Sequence, residues 1–74
     1  MPLVNVKVIE GVFDDEQKSA MIEKLTDAMV EVEGENMRGV TWVVVEEVKS
    51  GDWALGGQQL TTEAVRALAA GVPA

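Results

Sequence analysis

The second residue of the chain is a proline, in MPLVNVKVIEG, directly ahead of a run rich in β-branched residues. Once Met1 is removed, Pro2 presents a secondary amine on a rigid ring, a base that no interior residue can supply. With Met1 in place the same nitrogen is a tertiary amide, and Pro2 is only a strand-start residue where a missing N–H costs nothing. A free α-amino group titrates at roughly 8 in water, and burial among apolar groups penalises the ammonium form and lowers that value toward neutrality. An amine so tuned takes a proton from an enol hydroxyl, or from a C–H beside a carbonyl, and returns it to another carbon. Leu3, Trp42, Trp53 and Leu55 are the apolar residues available to dry such a site. Arg38 is the cation best placed to hold a carboxylate, its alternative role being a solvated loop arginine that offsets Glu35, and Lys7, facing away from the Val4, Val6 and Val8 row, is a weaker candidate. Trp42 and Trp53 have an alternative reading too, as core or interface side chains.

Composition removes other chemistries. There is no cysteine and no histidine, so disulfides, thiolate metal sites, the commonest metal ligand and the commonest general base are all excluded, and no metal site is expected. A formal charge of −7 repels a phosphate backbone, which argues against a nucleic-acid partner. No apolar run has the length of a membrane span and no basic, then apolar, export signal opens the chain, so a soluble cytoplasmic protein is expected. The 74 residues make one domain, 1–74, with no internal repeat or linker. A domain so small buries only about 60% of the surface its unfolded chain exposes, and self-association is the route to stability that remains.

The elements that must position these residues are legible in outline. Leu3 to Ile9 reads as a first strand, with Val4, Val6 and Val8 on one face and Leu3, Asn5, Lys7 and Ile9 on the other. Asp14 or Asp15 can cap a helix, with Gln17 three residues after Asp14 in a capping-box arrangement. Met21, Leu25, Ala28 and Val32, flanked by Ile22 and Met29, then follow helical spacing over residues 15–32, and Gly34 is a natural stop. Residues 39–48, GVTWVVVEEV, lack alternation in their middle, as in a strand buried on both faces. Strand, helix and strand make a β-α-β unit with two parallel strands and a right-handed crossover. One helix covers one face only, so cover for the second strand must come from another copy. DWALGGQQ reads as a hairpin-like loop, and Thr61 or Thr62 caps a short terminal helix over 63–70.

Together, Pro2, the Glu10-Gly11 turn, the helix start Asp15-Glu16-Gln17-Lys18 and the loop Gly51-Asp52-Trp53-Ala54-Leu55-Gly56-Gly57 resemble the 4-oxalocrotonate tautomerase family over residues 2–60. The resemblance implies an α/β fold assembled as a trimer of dimers, a hexamer, and a cofactor-independent isomerase with Pro2 as general base. It also implies that Trp53 packs beside the proline. The dienol-diacid tautomerases carry one arginine directly after the EG turn and another early in the second strand. Val12 and Trp42 stand there instead. The implied substrate is therefore an enol or 2-oxo monoacid rather than a diacid, with Pro2 catalytic and Arg38, Trp53, Leu3 and Trp42 lining the site. Two other readings share the fold: a superfamily hydratase, dehalogenase or decarboxylase using a protonated proline, or a non-enzymatic oligomeric domain.

Overall fold

The computed structural model describes residues 1–72, which group into two compact units: residues 1–6 with 14–46, and residues 7–13 with 47 onward. The β-branched run forms strand β1 (Leu3–Ile9), which pairs with β2 (Trp42–Val48) in a two-stranded sheet. The Trp42 N–H donates to the Pro2 carbonyl at 3.0 Å and the Glu10 N–H to the Val48 carbonyl at 2.8 Å. Both bonds advance in the same direction along the two strands, so the pairing is parallel, with Leu3 beside Trp42 at one end and Ile9 beside Val48 at the other.

In the first unit, helix α1 (Asp15–Glu33) starts as its sequence dictates: Asp14 Oδ1 accepts from the Gln17 N–H at 2.8 Å and Gln17 Oε1 accepts from the Asp14 N–H at 2.9 Å. It ends at Gly34, whose φ of 103° is a conformation that disfavours a side chain. The sheltered stripe differs from the expected one. Met21, Leu25 and Met29 are partly buried and Val30 is buried, whereas Ala28 is exposed and Val32 is 85% exposed. The inward face follows the row 21, 25, 29 and 33 and reaches Val30, while Val32, in the last turn of the helix, lies at the edge of that face and stays in water.

Residues 35–40 also depart from expectation. They form a 3₁₀ helix (Glu35–Val40), so the second strand begins at Trp42 rather than at Gly39. The turn is closed by the Met37 N–H to the Gly34 carbonyl and the Thr41 N–H to the Arg38 carbonyl, bonds incompatible with a strand. β2 alternates after all: Val43 and Val45 are partly buried, while Trp42 is 56% and Val44 36% exposed. Within one chain, therefore, this end of the sheet is covered on one face.

In the second unit, β3 (Trp53–Leu55) and β4 (Gln58–Leu60) form an antiparallel hairpin with Trp53 opposite Leu60 and Leu55 opposite Gln58. Gly56 and Gly57, at φ 59° and 83°, make the two-residue turn with both dihedrals positive that such a hairpin favours. Helix α2 (Thr62–Ala69) follows, capped by Thr61, which accepts from the Ala64 N–H at 3.2 Å. The expected Gly-Val-Pro-Ala tail extends to Pro73 and Ala74, outside the described residues.

Candidate active site

Pro2 is partly buried at the head of β1, and Met1 before it is 76% exposed. Its position is set by backbone pairing: the carbonyl is held by the Trp42 N–H, and one residue later Leu3 stands beside Trp42. Pro2, Leu3 and Trp42 are thus made backbone neighbours by register alone. Leu3 is 62% exposed, and with Trp42 and Val44 it forms an uncovered apolar strip on the face opposite Val4, Val6, Val43 and Val45.

Arg38 lies in the same unit, on the 3₁₀ helix, and its guanidinium is already engaged. Nε and Nη2 donate to the two carboxylate oxygens of Glu35, at 2.8 and 3.3 Å, and Nη1 donates to Asp27 Oδ1 on α1 at 2.9 Å. Hydrogen bonding from Arg38 holds the Glu35 carboxyl below its ordinary pKa, and the same bonds raise that of Arg38. The three side chains tie the 3₁₀ segment to α1.

Trp53 belongs to the second unit, where it lines an open cleft of about 270 Å³ with Ile9, Leu55, Leu60, Val65 and Leu68. Every lining side chain is hydrocarbon or indole, so the cleft suits an apolar group. Ile9, Leu60, Val65 and Leu68 were not among the residues singled out from sequence. The i, i+3 spacing of Val65 and Leu68 on a capped helix is the signal that points to them. The Glu10-Gly11 turn is locked beside this cleft's elements. Thr62 Oγ1 donates to the Glu10 carbonyl at 2.6 Å, Glu10 Oε1 accepts from the Ser50 N–H at 3.0 Å, and Ser50 Oγ accepts from the Thr62 N–H at 2.9 Å. A Cβ on Gly11 would meet the Thr62 methyl at 3.0 Å.

A sequence model of the family described as tautomerase enzyme matches residues 2–63, starting at the proline and ending at the second residue of α2. The chain belongs to the tautomerase family. Curated relatives include a probable tautomerase K2 of Dickeya dadantii, 33% identical over 61 residues that span 82% of this chain and 90% of that one. The 2-hydroxymuconate tautomerase of Bacillus subtilis is 38% identical over 61 residues, covering 82% and 95%. Among solved structures, YwhB, a homologue of 4-oxalocrotonate tautomerase, superposes with a TM-score of 0.70 at 36% identity, covering 78% of this chain and 92% of that one. The β-α-β fold with parallel strands is that of these tautomerases, and the chain is accordingly an enzyme of the isomerase class. Among the described residues no helix is long and apolar enough to cross a membrane.

Proposed function

We propose that this tautomerase-family enzyme interconverts the enol and keto forms of a 2-oxo acid without a cofactor, with Pro2, freed by removal of Met1, as general base. The observation that carries this reading is the family match beginning at residue 2, together with a Pro2 anchored through its carbonyl to the Trp42 N–H at the head of the sheet. A small second residue such as proline suits removal of the initiator methionine. The free amine's lone pair then takes the enol O–H proton as the C–O bond becomes a carbonyl. The former C=C electron pair accepts a proton at the neighbouring carbon, and the ammonium supplies it. No redox partner or metal enters the balance.

The substrate contacts in this reading are Leu3 and Trp42 beside Pro2, Trp53 as an apolar wall, and Arg38 as a carboxylate anchor that exchanges one of its two acidic partners for substrate. A monoacid fits better than a diacid, because Val12 and Trp42 replace two arginines. The chain acts as a single tautomerase-like domain in a cytoplasmic hexamer, a trimer of dimers, and the exposed Leu3, Trp42 and Val44 strip supports association.

The test is a pH profile of phenylenolpyruvate ketonisation, followed by ultraviolet absorbance, with protein of confirmed N-terminus and its Pro2→Ala variant. The expected result is an acid limb near neutral pH and a loss on the order of 100-fold in the variant. Equal, background-level rates for both proteins overturn the assignment.

A further inference from the structure

Glu33 is the one acidic residue of the 13 in the chain that is not exposed. It is also placed where an acid is disfavoured twice. It continues the inward row Met21, Leu25 and Met29 by one more four-residue step, and it is the last residue of α1, where free carbonyls make the helix end negative. Thr41 Oγ1 lies 2.6 Å from Glu33 Oε2 and 2.8 Å from the Met37 carbonyl, so the threonine is held between the end of α1 and the 3₁₀ helix. The next N–H along the chain, that of Trp42, donates to the Pro2 carbonyl, and the register of the sheet places Pro2 beside Thr41. Pro2, Thr41 and Glu33 are all partly buried and all belong to the first unit.

A hydroxyl satisfies a carboxylate's hydrogen bonding but not its charge. A cation at this end of the sheet would do so. The other charged groups on the neighbouring elements are exposed or already engaged: Arg38 of the 3₁₀ helix is taken by Asp27 and Glu35, Glu31 of α1 and Lys7 of β1 are exposed, and the first charge on β2 is Glu46, which accepts from Asn5. The amino group of Met1 leaves with Met1.

Resting on the reading of Pro2 as base, we propose that Glu33, held by Thr41, is a positioning carboxylate for the Pro2 amine. It favours the ammonium form and so keeps on the nitrogen the proton that the reaction moves. Burial lowers the affinity of the amine for that proton, and Glu33 opposes the effect. The base is thereby kept from becoming too weak to accept a proton.

The experiment is an NMR titration of the isotopically labelled Pro2 amine in protein shown by mass to begin at Pro2, alongside the pH profile of kcat/KM. Glu33→Gln, whose amide still accepts from Thr41, is expected to lower the midpoint and the acid limb together by about 0.5 to 1 unit. Thr41→Val is expected to shift them the same way by less. Glu31→Gln removes the same charge from an exposed site two residues away and is expected to leave both within about 0.2 unit. A midpoint unchanged or raised by Glu33→Gln, or moved equally by Glu31→Gln, overturns the proposal. Because the titration reads the amine directly, that failure is distinct from failure of the base assignment, which the Pro2→Ala rates decide.

Discussion

Arg38 commits its Nε and both terminal nitrogens to Glu35 and Asp27, and those exposed pairs define what the residue does in the unliganded chain. If substrate displaces one acid, the gain is the small difference between two carboxylate partners in water. Arg38→Ala is therefore expected to change the KM for an enol monoacid by no more than about threefold, whereas Pro2→Ala lowers kcat; steady-state kinetics separate the two. The Glu35 carboxyl is depressed by its bond from Arg38, so whatever the pair contributes is complete above the ordinary carboxylate value of about 4.3 and is lost as pH falls through the lowered one. Thermal melts of the wild type and Glu35→Gln are expected to differ slightly at pH 7 and to converge in acid.

The rotation of α1 is decided by packing that periodicity alone leaves open. Val30 and Val32 are the same residue type two positions apart, one 6% and the other 85% exposed. Val30→Ala is expected to destabilise by about 1.5 to 2.5 kcal/mol and Val32→Ala by less than about 0.5, measured by chemical denaturation. Periodicity places Val32 on the buried face because it stands i+4 from Ala28, but a helix this rich in apolar residues accommodates more than one such stripe. The capping box, the glycine stop and the hairpin turn were legible because each rests on contacts within about four residues. The 3₁₀ helix at 35–40 was not: GVT reads as β-prone, and the bonds that fold it come from Gly34 and Arg38 carbonyls. The Glu10-Gly11 turn is held from 40 and 52 residues away in sequence by Ser50 and Thr62. Gly11→Ala, at φ 77° and against the Thr62 methyl, is expected to cost about 1 to 3 kcal/mol.

A chain of 74 residues whose described part buries only Ile9 and Val30 among its apolar side chains, at 5% and 6% exposure, has a thin core. Leu3, Trp42 and Val44 form an apolar strip that a lone copy leaves in water. Association through that strip would bring small-domain stability into the usual range and would make melting depend on concentration. Trp42→Asp is expected to convert the assembly to smaller species in sedimentation and to lower the melting temperature. A wild-type chain that sediments as a stable monomer contradicts the assembly.

By itself the sequence determined the order of the strands and α-helices, the parallel pairing, the caps and turns, and the singular place of Pro2, because these follow from local propensity, short-range hydrogen bonds and the chirality of the crossover. Only the tertiary structure decided which stripe of α1 faces inward, that Arg38 is bound to two acids, and that Glu33 meets Thr41 beside the Pro2–Trp42 bond. Those outcomes depend on strand register and helix rotation, which arise from the summed packing of residues distant in the chain and leave no mark at any one position.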